Sequence, residues 1–270
     1  MSVYVERNGP VWTVIHDRPE ARNAMDPESA DALTRAFLEF NAYPDASVAV
    51  FYGEGGAFCA GWDLKYVSTL AEADPLAHLD IPPAGARGDG GEIPRGPLGP
   101  SRLELDKPVI AAVEGPAVAG GMELALWCDF RVMAEDAYLG VYCRRWGVPL
   151  IDGGTVRLPR IVGQGRALEI ILTGRKVDAG ECLRLGLCEY LTASGAARQK
   201  AEALAQDIAR FPQTCVRADR RSAIGSQGLT VRDGLIQEWY NGREALRNDG
   251  IRGATRFKEG LGRHGDFEKI

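Results

Sequence analysis

A layered α/β core followed by a helical C-terminal region is the fold class that this sequence predicts. Two observations carry it. Strand-like and helix-like segments alternate through the first half of the chain, and helical signals fill its last third. Such alternation sets parallel strands side by side, with helices as right-handed crossovers.

The elements follow in order. VWTVIHD (11–17) and SVAVFYG (47–53) are β-rich runs bounded by turn residues, and ESADALTRAFLEFNAY (28–43) has helical apolar spacing between them. PVIAAVEG (108–115) reads as a buried strand, GGMELALWCD (120–129) as a helix opened by glycines, and DFRVMAED (129–136) as a strand again. RALEIILTG, DAGECLRLG, GAARQKAEALAQDIARF and VRDGLIQEWYNGREALRN supply the helical signals beyond residue 165. The expected division is a core over 1–192 and a helical region over 193–270. Between 79 and 100, LDIPPAGARGDGGEIPRGPLGP has Pro or Gly at about every second position, which excludes a regular element. A loop this long inside a compact domain is functional or disordered.

Composition narrows the function classes. A chain of 270 residues with 45% hydrophobic and 26% charged side chains is ordinary for a globular protein with a sizeable core. The net charge of −5 argues against a nucleic-acid or anionic-membrane partner, while leaving room for a small anionic ligand held by a few local cations. MSVYVERNGP has no apolar signal region, and VIAAVEGPAVAGG is too short and too interrupted to span a bilayer. Six cysteines without CxxC spacing read as reduced thiols, and three scattered histidines offer no metal site. The expected location is cytoplasmic.

Two turns stand out. GGAFCAGWDL (55–64) and GPAVAGGMELA (115–125) each follow a strand, and each lets the backbone approach a ligand before a helix opens with free N–H groups. A pair of such donors, one from each turn, is what an oxyanion hole requires. Glu123 falls in the first turn of the second helix, where the helix dipole alone would also favour it. GxGxxG, GxxxxGK[ST] and GxSxG are absent, which argues against dinucleotide, P-loop and serine-hydrolase chemistry.

On these residues the chain resembles the crotonase, or enoyl-CoA hydratase/isomerase, superfamily over nearly its full length. DRPEARNAMD (17–26), GEGGAFCAGWDL, EGPAVAGGMELALWCDFRVMAEDAYLG, GGTVRLPRIVGQGRALEIILTGRKVDAGECLRLGL and RFKEGL match its motifs in order. The resemblance implies a crotonase-like spiral of ββα turns with a C-terminal helical trimerisation region, assembled as a homotrimer or a dimer of trimers. It implies an acyl-CoA thioester as substrate, with no separate cofactor. It makes the backbone N–H groups of Ala60 and Gly120 the oxyanion hole, and places Arg22, Ala24, Asp63 and Leu64 along the nucleotide end of CoA. Phe257 and Lys258 match a tail that reaches a CoA site, sometimes a neighbour's. Arg22 and Lys258 would suit CoA phosphates; either could equally be a solvated surface charge.

The reaction turns on one departure from the pattern. Hydratases of this family place two glutamates around one water, and Glu123 occupies the first position. At the second stands Cys143, whose thiol is a poor acceptor of water's hydrogen bonds and serves better as a wall than as an acid or base. Asp152, three residues before Thr155, sits where dienoyl-CoA isomerases and aryl-CoA dehalogenases of the superfamily carry a functional aspartate. It could replace the missing carboxylate, or it could merely cap the following helix. Arg144 and Arg145 could pair with Asp152, orient an acidic acyl group, or lie in surface ion pairs. Three readings stay open: a hydratase using Glu123 and Asp152, a double-bond isomerase, and a weakly catalytic acyl-CoA-binding member.

Overall fold

The computed structural model describes residues 2–70, 76, 79–81, 95–262 and 264. Most of the 79–100 loop, residues 82–94, lies outside them.

Strands β1 (Val3–Asn8) and β2 (Val11–His16) form an antiparallel hairpin. Helix α1 (Pro27–Ala42) then crosses to β3 (Val48–Gly53), which lies parallel to β2. Asp26 caps α1 by accepting from Ser29 N at 2.8 Å, and Pro27 has no N–H to leave unsatisfied at the first helical position. The helix buries Leu33, Ala36, Phe37 and Phe40, a 3.6-residue stripe whose aromatic members each stabilise the packing by about 2–3 kcal/mol. The short helix α2 (Leu64–Val67) follows the first glycine-bounded turn.

β4 (Val109–Val113) runs parallel to β3, β5 (Pro116–Val118) opens the second sheet, and α3 (Gly120–Trp127) begins two residues later. β6 (Phe130–Ala134) returns to the main sheet, and β7 (Tyr138–Gly140) pairs with β5. Helices α4 (Gly154–Val162) and α5 (Gln164–Thr173), strand β8 (Lys176–Asp178), helix α6 (Ala179–Leu185) and strand β9 (Tyr190–Thr192) complete the first 192 residues. Among the described residues the main sheet has the order β1-β2-β3-β4-β6-β9, and the smaller one β5-β7-β8.

β2, β3 and β4 are buried on both faces, which explains why they read as continuous apolar runs rather than alternating ones. On β3, Ala49 and Phe51 face the cluster that includes α1, whereas Val48 and Val50 face the other side. That other side is covered by α7 (Ala197–Ala209), whose Ala201 and Ala205 are fully buried against the strands. The expected division at 192/193 thus separates β9 from a helix that closes the core. α8 (Gln213–Gly225), α9 (Val231–Ala245) and α10 (Ile251–Lys258) follow, and α9 exposes Leu235, Trp239 and Tyr240. No helix among the described residues is long and apolar enough to cross a membrane.

Candidate active site

The two glycine-bounded turns are laced together by backbone hydrogen bonds. Cys59 N donates to Pro116 O at 3.2 Å, and Val118 N donates to Cys59 O at 3.0 Å, forming an isolated parallel bridge between Cys59 and Ala117. Gly61, at φ +92°, lies so close to the second turn that a Cβ there would stand 2.8 Å from the Ala119 Cβ and 3.0 Å from Gly120 N. Only glycine satisfies both the positive φ and this approach. Ala119 itself is held at φ 55°, a strained conformation for a residue with a side chain, immediately before α3 begins.

The donors differ from expectation at one residue. Gly120 N, as the first N–H of a helix, has no intrahelical acceptor, and Gly120 lines the cavity. Ala60 N is taken: it donates to Arg22 O at 3.0 Å, so it is unavailable as an oxyanion donor in this conformation. The bridge between Met25 and Trp62, with Met25 N on Gly61 O at 2.7 Å and Asp63 N on Met25 O at 2.8 Å, leaves the intervening Trp62 N–H without an acceptor among the described residues. Trp62 N and Gly120 N, one from each turn and neither with an acceptor among the described residues, belong to residues that line the cavity, as does Ala60.

Glu123 is 2% exposed, with Oε1 accepting from Asp152 N at 2.9 Å and Gly154 N at 2.8 Å. Burial, followed by the charge of Asp152, raises its carboxyl to about 7, against the lowering effect of the two N–H donors. A group poised there can give or take a proton near neutrality.

Asp152 is 1% exposed. Its Oδ1 accepts from the Ser101 hydroxyl and from Leu98 N at 3.2 Å, whereas its buried Oδ2 has no partner. Burial raises its carboxyl, and the Ser101 and Leu98 donors and the charges of Arg102 and Arg157 oppose that rise. It does not cap α4: the residue at that place is Gly153, and no side chain caps the helix. Neither arginine of the pair forms an ion pair with Asp152 among the described residues, although Arg145 lines the cavity. Arg144 Nε donates to Ile171 O at 3.3 Å, and Arg145 lies over the Tyr142 ring. Arg157 is the cation that shapes the site, donating to Asp152 O at 2.9 Å and to Ser101 O at 2.8 Å.

Cys143 is buried at the cavity wall, and burial, reinforced by Glu123, pushes its thiol up, so it stays neutral. The cavity itself measures about 480 Å³. Glu123, Asp152, Trp62 and Gly120 line it together, and Arg22, Ala24 and Leu64 line it too. Asp63 does not line it: its carboxylate caps α2 through Lys65 N at 2.9 Å and pairs with Arg18 at 2.9 Å, a structural task. Phe257 and Lys258 stand on α10, exposed and off the wall of this chain's own cavity. Sequence reasoning missed the Trp62 N–H, Ser101 and Arg157.

The chain is similar to known proteins over most of its length. A family model described as enoyl-CoA hydratase/isomerase matches residues 6–77 and 101–259. Carnitinyl-CoA dehydratase of Salmonella typhi is 34% identical over 238 residues, covering 86% of this chain and 84% of that one. An enoyl-CoA hydratase from Mycobacterium marinum superposes with a TM-score of 0.82 at 32% identity, covering 96% of both chains. One from Bacillus anthracis superposes with a TM-score of 0.84 at 29% identity, again over 96% of both.

Proposed function

The chain belongs to the enoyl-CoA hydratase/isomerase, or crotonase, family, and we propose that within it the protein adds water to a 2-enoyl-CoA thioester, using Glu123 and Asp152 as its two carboxyl groups. One observation carries this reading: both acids are buried against one cavity, joined by the hydrogen bond from Asp152 N to Glu123 Oε1, with Asp152 Oδ2 left unpartnered. The thioester oxygen sits between Trp62 N and Gly120 N, where fixed donors stabilise the enolate by a few kcal/mol each, roughly. Water's oxygen joins C3, one of its protons passes to a carboxylate, and a carboxyl proton is delivered to C2. The name carnitinyl-CoA dehydratase describes loss of water from a CoA thioester, which is this step in reverse.

Arg22, Ala24 and Leu64 are assigned to the CoA end of the cavity, with the exposed Arg22 guanidinium beside a phosphate. Phe257 and Lys258 serve a CoA bound to a neighbouring copy, since they are off their own cavity. The assembly is a homotrimer or a dimer of trimers, whose contacts cover the apolar side chains that α9 exposes. A second reading, double-bond isomerisation, draws on the near-neutral carboxyl of Glu123, which alone could remove and return a proton. Incubation with 2-enoyl- and 3-enoyl-CoA in deuterated water separates them. Hydration of the 2-enoyl ester supports the first; a deuterated, shifted double bond without hydration supports the second; tight binding without exchange contradicts both.

A further inference from the structure

Asp152 is held by a segment that is remote in sequence. Residues 96–102 fold over it: Gly96 and Gly99 form a two-residue bridge, Pro100–Arg102 make a 3₁₀ turn, and from this fold Leu98 N and the Ser101 hydroxyl both reach the same carboxylate oxygen, Oδ1. Ser101 is 1% exposed, and its own carbonyl is tied by Arg157, which also ties the carbonyl of Asp152. A hydroxyl so enclosed has one acceptor to serve. Space beside it is closed: a Cβ on Gly96 would stand 2.5 Å from Asp152 Oδ1. The result is a carboxylate with one oxygen fully occupied and the other, Oδ2, buried, unpartnered and part of a residue on the cavity wall.

We propose that Ser101 is the positioning residue for Asp152: by donating to Oδ1 it favours the charged carboxylate and fixes the rotamer that leaves Oδ2 as the oxygen without a protein partner. This rests on the assignment of Asp152 to the reaction. A hydroxyl donor stabilises the charged form of its acceptor, so its removal raises the carboxyl's midpoint. The other charged and titratable groups facing Asp152 are Glu123 on α3, Arg157 on α4, Arg102 in the 3₁₀ turn and the buried Cys59 thiol. Two of them are cations that remain in place when the hydroxyl is removed, so a change after its loss reports the hydroxyl. Ser101 touches no reacting atom in this scheme; it acts through Asp152.

The test uses the whole protein labelled with 13C at aspartate carboxyls, the Asp152 signal being identified by its disappearance in Asp152→Asn. Its titration is followed in wild type, Ser101→Ala, and the isosteric pair Ser101→Thr and Ser101→Val. The pair matters if Ser101→Ala folds poorly, because Thr and Val share a shape and differ by the hydroxyl. The expected result is an upward shift of the Asp152 midpoint by about one pH unit or more in Ala and Val, with Thr close to wild type. The acid limb of kcat/KM for a 2-enoyl-CoA should move with it. An Asp152 midpoint that is the same in Thr and Val overturns the proposal. A midpoint that shifts as expected in proteins that turn over no enoyl-CoA upholds the Ser101–Asp152 coupling and removes the proposed activity instead.

Discussion

Asp152 N donates to Glu123 Oε1 at 2.9 Å, so the segment that carries one acid of the site also fixes the other. Gly154 N completes the grip at 2.8 Å. Glu123 is thereby aimed from a helix, while Asp152 is aimed from a loop that Ser101, Leu98 and Arg157 hold in place.

Glu123→Gln is expected to lower kcat by about 100-fold or more while acyl-CoA still binds, because the amide can accept from the same two N–H groups but cannot carry the proton. Steady-state kinetics and calorimetric binding check this. Unchanged turnover would remove Glu123 from the chemistry.

Asp152→Asn should also cut turnover by about 100-fold, with little change in thermal stability, since the side-chain oxygen can still accept from Ser101 and Leu98. A lower melting temperature with intact kinetics would make Asp152 a structural residue.

Stability should carry the signature of Glu123. Its carboxyl rises from 4.5, the ordinary value for a glutamate side chain, to about 7 in the fold, so between those values the native state holds more protons than the unfolded one. Stability contributed by this group is therefore complete below about pH 4.5 and is lost as pH rises towards 7, by roughly 3 kcal/mol at most. Urea unfolding at pH 5 and pH 8 should show Glu123→Gln gaining on wild type at the higher pH. A pH-independent difference contradicts the raised carboxyl.

Gly61→Ala should disable the proposed oxyanion donors, Trp62 N and Gly120 N, without touching either acid. Its Cβ would meet the Ala119 Cβ at 2.8 Å in a backbone conformation that side chains avoid, at a cost of about 1–3 kcal/mol. Turnover should fall more than binding of free CoA. Equal turnover in a folded variant would show that the two turns need not touch.

Arg22→Ala should weaken binding of CoA thioesters by about tenfold, one charge-assisted contact, and leave turnover of an enoyl N-acetylcysteamine thioester as it was. Equal losses for both thioesters would place Arg22 elsewhere.

Much of this was legible in the sequence, for local reasons. β2, β3 and β4 announced themselves as apolar runs, and Glu123 by its place after a Gly-Gly helix start. β5, β7, β8 and β9 have three residues each, too few to show a period. The Ala60 assignment failed on a matter of register: which N–H of the turn stays free depends on the Arg22 carbonyl, brought in from 38 residues away. Ser101 and Arg157 carry no motif, because their roles exist only once residues 96–102 have folded over Asp152. Of the adjacent arginines, Arg144 turns away to Ile171 O, whereas Arg145 lies over the Tyr142 ring on the cavity wall.

The central claim is that two carboxyl groups, Glu123 and Asp152, hydrate an enoyl-CoA. It is tested most directly by mass spectrometry of a short 2-enoyl-CoA incubated in deuterated, 18O-labelled water with wild type, Glu123→Gln and Asp152→Asn. The expected result is 18O at C3 and deuterium at C2 with wild type and neither label with either variant over the same time. Labelling by Asp152→Asn at the wild-type rate would contradict it.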